Sequence, residues 1–209
     1  MNNKIIVVGG GLAGSEAAWQ LAERGHQVEL YEMRPKKMTG AHVSNRLGEL
    51  VCSNSLGSKL PDRATGLLQH ELRMLKSLLL EAAEKAAVPA GGALAVDREV
   101  FAETVTTAIE QHPNITIIRD EMPTIPTDAP VIIATGPLTS PSLATDIAKL
   151  TGQDYLYFYD AISPIVEVDS VDMSIAFQAN RYDERRDTVT QKFKTLRENL
   201  FNCEQSCST

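Results

Sequence analysis

VVGGGLAGSEAAWQLAERG, residues 7–25, places three consecutive glycines between a short apolar run and a segment with helical periodicity. The spacing Gly9-x-Gly11-x-x-Gly14 matches the fingerprint of a dinucleotide-binding turn between a strand and a helix. The first glycine of such a turn permits the bend, the second lets the backbone approach a pyrophosphate, and the third allows the helix to pack closely on the strand. We predict that this turn binds phosphates through Gly9, Gly10, Gly11, Leu12, Ala13 and Gly14.

A second strand is expected over residues 27–31, with Glu32 at its carboxyl end. Glu32 lies eighteen residues after Gly14, about the separation at which an acidic side chain accepts hydrogen bonds from a ribose diol. A free diol at this position fits FAD or NAD better than NADP. We include Arg34 in the same predicted cofactor site. The alternative is a glycine-rich turn that has only a structural role, with Glu32 in solvent.

The composition limits the class of protein. The chain has 209 residues, 43% of them hydrophobic, and a net charge of −7, which together indicate a globular protein without a broadly basic nucleic-acid surface. Three cysteines without paired zinc spacing argue against a disulfide scaffold or a metal site. With no apolar stretch near 20 residues and no signal-peptide pattern, we expect a cytoplasmic protein without a membrane segment. A local basic cluster remains as a candidate nucleic-acid-binding patch or a solvated loop: Arg34, Lys36, Lys37 and Arg46.

Apolar periodicity continues along the chain. Apolar residues at helical spacing between Leu68 and Ala86 predict one core helix of about five turns. Residues 96–112 predict a second helix with Asp97 as its N-cap. One side of this second helix is formed by Val100, Thr104, Thr107 and Ala108. A strand is expected over residues 114–120.

VIIATGP, residues 131–137, repeats the opening arrangement of an apolar strand followed by a small residue and a glycine. Two such turns, flanking helices and a further strand, indicate an α/β fold with one doubly wound parallel sheet, a Rossmann-like FAD/NAD(P)-binding domain. The second turn brings main chain near the same cofactor, so Thr135 and Gly136 join the predicted binding residues.

Five stretches together resemble one family. They are GGGLAGSEAAWQLAERGHQVELYEMRP (9–35), ELVCSNSL (49–56), VPAGGALAVDR (88–98), IIATGPLTSP (132–141) and DYLYFYDAISPIVE (154–167). In these stretches the chain resembles the folate-dependent, FAD-containing tRNA (uracil-5-)-methyltransferases over roughly residues 4–183. The resemblance implies FAD as cofactor, NAD(P)H as reductant, methylenetetrahydrofolate as one-carbon donor, and a T-loop uridine of tRNA as substrate.

The resemblance also gives Cys52 a role, because Cys52 occupies the cysteine of ELVCSNSL. Methylation of a uracil ring carbon benefits from a thiolate that adds to the adjacent carbon. Cys52 is therefore the predicted catalytic residue. Three tasks remain open for it: attack on uracil, holding a flavin-bound carbon, or protection of an intermediate. The alternative reading, from composition, is a small buried hydrophobic residue.

The similarity breaks off within RYDERRDTVTQKFKTLRENLFNCEQSCST, residues 181–209. We expect an FAD-binding domain over 1–183 that is incomplete relative to the family, and a divergent tail over 184–209 that forms an amphipathic helix or is disordered. Because the expected chain is a truncated member, methylation by it alone is not expected. Two other functions remain: a non-catalytic FAD-binding remnant, and a different flavin-dependent oxidoreductase with the same sheet.

Overall fold

The structure is a computed structural model that describes residues 4–152 together with Asp172 and Ser174. Within residues 4–152 the elements follow in this order: β1 (Lys4–Val8), α1 (Leu12–Glu23), β2 (Gln27–Tyr31), β3 (Ser55–Ser58), α2 (Ala64–Met74), α3 (Leu78–Lys85), β4 (Ala87–Val88), β5 (Ala93–Val96), α4 (Arg98–Gln111), β6 (Ile115–Ile118), β7 (Val131–Ile133), a short 3₁₀ helix (Gly136–Leu138) and α5 (Pro141–Thr151).

The main sheet is parallel and has the strand order β6-β2-β1-β7. Side chains alternate between its faces along β1. Val7 joins a core with α1, α3 and α4, whereas Ile6 and Val8 pack with Leu143 of α5 on the opposite face. Helices therefore cover both faces, as the sequence predicted for a doubly wound α/β fold. The carboxyl ends of β1, β2 and β7 meet at one edge, where the two glycine turns lie.

A second, smaller sheet was not predicted. Its strands are antiparallel in the order β3-β5-β4, and all four residues of β5 are buried. β3 and β5 contain parts of two of the stretches that carry the family resemblance, ELVCSNSL and VPAGGALAVDR. Strands of two to four residues, one of which contains a glycine, give too short a pattern for periodicity to detect.

The single five-turn helix expected between Leu68 and Ala86 is wrong. Two helices, α2 and α3, occupy this region, separated at Lys76, whose φ of 56° cannot continue a right-handed helix. Ser77 then caps α3 by accepting a hydrogen bond from the Leu80 N–H. The helical spacing of the apolar residues is the same before and after Lys76, so this spacing could not predict the interruption.

Helix α2 also corrects part of the expectation that this stripe is core: Leu68 and Leu75 are exposed, whereas the other members lie in the core or pack against it, namely Leu72, Leu79, Ala82 and Ala86. Its buried residues are Gly66 and Gln69. Four large apolar side chains on it or at its end are 53–74% exposed: Leu67, Leu68, Met74 and Leu75. We call these four residues the α2 apolar face. Most of the large apolar side chains of α2 thus lie outward, whereas Gln69 is buried and Leu72 packs against the core.

Helix α4 begins as predicted. The Asp97 carboxylate accepts hydrogen bonds from the N–H groups of Glu99 and Val100 at 2.9 and 3.0 Å, which satisfies two of the unpaired donors of the first turn. The buried face differs from the side that the sequence indicated, because Val100 is exposed. It is formed by Phe101, Ala102, Val105, Thr106 and Ile109.

The chain divides into two compact units, Met1–Glu167 and Val168–Thr209. In the second unit, the Ser174 N–H and hydroxyl donate to the Asp172 carboxylate at 2.8 and 2.6 Å. The predicted boundary at residue 183, the tail 184–209 and the stretch 154–167 lie outside the described residues. Among the helices that the structure describes, none has the length and hydropathy needed to span a bilayer.

Candidate functional site

The first glycine turn is shaped by close packing. Gly9 has a φ of 105°, and a Cβ built on it would lie 2.6 Å from the Ala134 carbonyl oxygen. A Cβ on Gly14 would collide with the Gly9 carbonyl oxygen, and one on Gly10 would lie 2.8 Å from Glu32 Oε2. Packing within the chain thus requires glycine at Gly9 and Gly14, where the close atoms are backbone, and disfavours a side chain at Gly10, where they belong to the side chains of Leu47 and Glu32.

Gly11 differs from its neighbours. A Cβ at this position would meet no protein atom within 4 Å, and its backbone is extended (φ −73°, ψ −167°), a conformation open to any residue. The protein itself therefore does not need a glycine here. Absence of a side chain matters at Gly11 only if something from outside the chain approaches the backbone.

The same turn leaves the start of α1 without a side-chain cap. Gly11 is the N-cap residue, and no side chain accepts a hydrogen bond from the first turn. The first N–H groups of a helix have no intrahelical partner and carry the positive end of the helix dipole. A helix of twelve residues with an uncapped glycine N-terminus suits an anion such as a pyrophosphate.

A cavity of about 300 Å³ lies at this edge of the sheet. It is lined by the first turn, the end of β2 and the loop after β7. Eight of the predicted cofactor residues line it: Gly9, Gly11, Leu12, Ala13, Glu32, Arg34, Thr135 and Gly136. Gly10 and Gly14 are buried beneath it and do not line it. The fold thus brings both glycine turns and the acidic residue to one cavity, at the lower end of the size range of about 300–1,000 Å³ for ligand pockets.

The second glycine turn is held by its own threonines. The hydroxyls of Thr135 and Thr139 are 2.6 Å apart, and the Thr139 hydroxyl donates to the Gly136 carbonyl oxygen at 2.8 Å. Gly136 has a φ of 63°. The Ala134 N–H donates to the Val8 carbonyl oxygen at 2.8 Å, which fixes this turn beside the first.

Glu32 is buried at the end of β2 and is bonded to the protein. Its Oε2 accepts from the Gly10 N–H at 2.9 Å. Its Oε1 accepts from the Arg34 N–H at 3.0 Å and from Arg34 Nε at 2.9 Å, and Arg34 Nη2 donates to Oε2 at 3.1 Å. Burial raises the pKa of Glu32, but the hydrogen bonds and charge of Arg34 outweigh it and hold this pKa below its ordinary value. Glu32 is therefore ionised at neutral pH.

Arg34 connects Glu32 to a second carboxylate, Glu49. Arg34 Nη1 donates to Glu49 Oε2 at 2.9 Å and to the Ser44 carbonyl oxygen at 3.1 Å. The Arg34 side chain is only 2% exposed. The structure therefore places Arg34, a predicted cofactor contact, in an internal ion network at the cavity wall, with its guanidinium bonded to the protein.

Sequence reasoning missed Glu49. This residue begins the stretch ELVCSNSL, of which only the cysteine received a role. Glu49 lines the cavity, and it accepts hydrogen bonds from the N–H groups of Val43 and Ser44 and from the Ser44 hydroxyl at 2.9, 3.2 and 2.7 Å. Burial raises the pKa of Glu49, and these hydrogen bonds together with Arg34 lower it below its ordinary value. No regular spacing in the sequence predicts a contact between Arg34 and a residue fifteen positions later. The only sequence signal for Glu49 was its place in the stretch ELVCSNSL.

His42 is half-buried and lines the same cavity. Its Nδ1 lies 2.6 Å from the Thr39 hydroxyl. Burial and the nearby Arg34 charge lower the pKa of His42, against the opposing effect of Glu49 and Glu32. His42 is consequently uncharged at neutral pH.

Cys52 is exposed and has a free thiol, which contradicts the alternative of a small buried hydrophobic residue. It does not line the cavity. The loop that carries it is anchored by Asn54, whose carbonyl oxygen accepts from the Val96 N–H at 2.9 Å and whose side chain donates to the Val96 carbonyl oxygen at 3.2 Å. The structure thus makes Cys52 accessible but does not bring it among the predicted cofactor residues.

The basic cluster is neutralised within the chain. Arg34 pairs with Glu32 and Glu49, as described above. Lys36 pairs with Asp120 at 2.9 Å, Lys37 with Glu121 at 2.9 Å, and Arg46 with Glu103 at 2.7 Å. Each basic side chain of the candidate nucleic-acid-binding patch therefore has a carboxylate partner within the chain. Within residues 4–152, Asp172 and Ser174, no group of three or more His, Cys, Asp or Glu side chains is arranged to hold a metal ion.

Comparison with known proteins gives matches along most of the chain. The sequence profile of the family described as "Glucose inhibited division protein A" matches residues 4–206. The methylenetetrahydrofolate--tRNA-(uracil-5-)-methyltransferase TrmFO of Aquifex aeolicus (strain VF5) is 54% identical over 211 residues, which cover 98% of this chain and 47% of that relative. The protein of the same name from Bacillus subtilis (strain 168) is 57% identical over 185 residues, which cover 88% of this chain and 42% of that relative. The chain therefore spans less than half the length of these two relatives.

Among solved structures, Aquifex aeolicus GidA in the form I crystal is similar with a TM-score of 0.52. The match covers 64% of this chain and 25% of that chain at 18% sequence identity. At this identity the similarity concerns the fold alone.

Proposed function

The chain belongs to the glucose inhibited division protein A family, and on that basis we propose that it is the FAD-binding portion of a folate-dependent tRNA (uracil-5-)-methyltransferase. The resemblance inferred from five sequence stretches is confirmed by 54–57% identity to two relatives of that name. Because the chain spans 42–47% of those relatives, the activity, substrates and partners of the whole enzyme are part of the proposal.

The observation that carries the proposal is the contrast between Gly11 and the glycines around it. Packing within the chain accounts for Gly9, Gly10 and Gly14, but leaves open space above Gly11 at an uncapped helix N-terminus. That open space suits a phosphate against the backbone. FAD fits this arrangement, since the N–H groups of Leu12 and Ala13 would hold its pyrophosphate and Glu32 would hold its adenosine ribose.

Bound FAD supplies the redox and one-carbon chemistry, and the chain binds and orients it. Glu32 would accept a hydrogen bond from the ribose, and the start of α1 would stabilise the phosphate charge. The backbone at Thr135 and Gly136 forms the other wall of the cavity. We further propose NAD(P)H as reductant, methylenetetrahydrofolate as one-carbon donor and a T-loop uridine of tRNA as acceptor, on the strength of the family resemblance and the two named relatives.

Cys52 is the proposed catalytic residue. A nucleophile that adds to a uracil ring must be reachable by the base, and Cys52 is exposed on an anchored loop. Its thiolate adds to the ring carbon adjacent to the methylated one, which makes that neighbouring carbon nucleophilic. The two other tasks considered for this thiol, holding a flavin-bound carbon and protecting an intermediate, require the same accessibility.

The substitution Gly11→Val tests FAD binding. Its side chain meets no protein atom within 4 Å of the Cβ position, so we expect a loss of stability below about 1 kcal/mol, typical of changes at a glycine N-cap. Valine would nevertheless occupy the space that the phosphate needs. The variant is expected to fold with nearly the parent melting temperature and to lose the flavin absorbance of the purified or FAD-reconstituted protein.

The matched control is Gly40→Val. Gly40 is exposed, also has open space at its Cβ position and does not line the cavity, so this variant should retain flavin. Equal flavin content in the Gly11→Val protein and the parent would contradict the proposed site.

A further inference from the structure

Arg34 is shared between the buried carboxylate of Glu32 and the partly buried carboxylate of Glu49. Its Nε and Nη2 face Glu32 in a two-point contact at 2.9 and 3.1 Å, and its Nη1 faces Glu49 at 2.9 Å. The side chains of Glu32, Arg34 and Glu49 are 7%, 2% and 10% exposed. One cation therefore bridges two anions, at a depth where an unpaired charge is costly.

The acceptor capacity of Glu32 is already used in this arrangement. A carboxylate offers about four lone-pair sites. Glu32 receives four hydrogen bonds, three from Arg34 and one from the Gly10 N–H. A ribose hydroxyl that donates to Glu32 must therefore take over a site that now serves Arg34, because the Gly10 bond belongs to the glycine turn.

Glu49 is placed to keep Arg34 bound when that happens. Its carboxylate is fixed by three donors from Val43 and Ser44, and Arg34 is further held by the Ser44 carbonyl oxygen. If one Arg34 contact to Glu32 is released, the guanidinium still has an anionic partner and a fixed position. Without Glu49, the Arg34 charge would depend on Glu32 alone, and Glu32 could not release a site without leaving a buried cation underpaired.

We propose that Glu49 is a positioning residue that anchors Arg34 and thereby frees a lone pair of Glu32 for the ribose of the bound dinucleotide. This inference rests on the proposed function, in which Glu32 accepts the adenosine ribose of FAD. Glu49 acts through Arg34 and does not itself touch the ribose.

The test compares FAD with an FAD analogue that lacks the 2′-hydroxyl of the adenosine ribose, in the parent chain and in Glu49→Gln. The parent should bind FAD about tenfold or more tightly than the analogue, as expected for a hydrogen bond to a charged acceptor. In Glu49→Gln, FAD affinity should fall while affinity for the analogue changes little, so the ratio of the two dissociation constants drops to within about twofold. A purely structural role would weaken both ligands equally and leave the ratio unchanged.

Two further variants keep the result interpretable. Glu103→Gln removes a carboxylate that pairs with Arg46 on the surface and should leave both affinities at parent values. Ser44→Ala removes the 2.7 Å hydroxyl bond to Glu49, together with the 3.3 Å bond that this hydroxyl accepts from the Arg46 N–H, and leaves the Glu49 carboxylate in place. It should lower the ratio part of the way even if Glu49→Gln does not fold.

An unchanged ratio in Glu49→Gln, or in Ser44→Ala where Glu49→Gln is unfolded, overturns the role of Glu49 while leaving FAD binding intact. A parent chain that does not bind FAD overturns the proposed function and this inference with it. These two failures are distinguished by the parent measurement alone.

Discussion

The Gly10 N–H donates a 2.9 Å hydrogen bond to Glu32 Oε2, which joins the first glycine turn to the end of the neighbouring strand. The same turn receives a second connection from the Gly48 N–H, which donates to the Gly10 carbonyl oxygen at 2.9 Å. Gly10 thus has both of its backbone polar groups hydrogen-bonded within the chain, one to Glu32 and one to Gly48. The turn, the acidic residue and the loop before Cys52 consequently form one hydrogen-bonded unit.

Gly14→Ala is predicted to destabilise the fold. A methyl group there would collide with the Gly9 carbonyl oxygen, and backbone has less freedom to move aside than a side-chain end. We expect a loss of at least about 2 kcal/mol, or roughly 5 °C in melting temperature for a chain of this size. Thermal unfolding measures it, with Gly11→Ala as the matched control. Similar melting temperatures for the two variants would contradict the packing described for Gly14.

Cys52 is predicted to react readily with a thiol reagent in the folded chain. The residue is exposed, so modification does not require unfolding. Cys52→Ala should change stability by less than about 0.5 kcal/mol, as usual for an exposed side chain. Peptide mapping after brief labelling identifies the modified cysteine and separates Cys52 from Cys203 and Cys207. Protection of Cys52 until denaturant is added would show that it is buried.

Acid is predicted to weaken the fold through Glu121. Hydrogen bonds from Lys37 and Ser142 lower the pKa of Glu121 from 4.5 to about 2. A carboxyl group whose pKa is lower in the folded state stabilises the fold above its unfolded pKa, and this contribution is lost as pH falls from about 4.5 towards 2. Melting temperatures between pH 7 and pH 3 should therefore fall less steeply in Glu121→Gln and in Lys37→Met than in the parent. Identical acid slopes in all three proteins would refute this contribution.

The α2 apolar face is predicted to bind hydrophobic dyes. Its four side chains are 53–74% exposed on one side of the helix, and contiguous exposed apolar surface is unusual for a monomer. The double variant Leu67→Gln/Leu68→Gln should reduce dye fluorescence while costing less than about 0.5 kcal/mol per site. Leu143→Ala is the contrasting variant, since Leu143 is 2% exposed and its truncation should cost about 2–5 kcal/mol. Unchanged dye binding in the double variant would locate the dye elsewhere.

The isolated chain is predicted to bind FAD without methylating tRNA. Methyl transfer requires flavin, folate and uridine to converge in one geometry, and this chain spans less than half of the two relatives compared. The assay supplies FAD, NADPH, methylenetetrahydrofolate and unmodified tRNA and measures 5-methyluridine, with the Bacillus subtilis relative as positive control. Product that disappears in Cys52→Ala would instead assign full catalysis to this chain. Absence of product from the positive control would mean that the proposed reaction is wrong.

The part of the fold that could be predicted from sequence is local. β1, the glycine turn, α1 and β2 follow one another within residues 4–31, and each has a periodicity or a spacing that depends on nearby residues. The strand β2 begins and ends where the sequence indicated. Asp97 was predictable as a cap for the same reason, since capping involves residues within one turn.

The remainder depends on contacts between distant residues. The Arg34–Glu49 pair is closed by the path of the loop between them, and the Lys36 and Lys37 ion pairs reach across 84 positions to Asp120 and Glu121. The charged residues in the sequence indicated a basic cluster but could not identify the carboxylates that pair with it. The break at Lys76 was missed because an unfavourable backbone conformation at one residue leaves the apolar spacing intact.

The ion pairs made by Lys36, Lys37 and Arg46 also bear on how binding of a polyanion at this surface would depend on ionic strength. A polyanion such as tRNA gains affinity when basic side chains displace its condensed counterions. Lys36, Lys37 and Arg46 already have carboxylate partners, so each must exchange one anion for another, and few counterions are released per contact. We therefore expect contacts between a nucleic acid and these three side chains to depend only weakly on salt concentration.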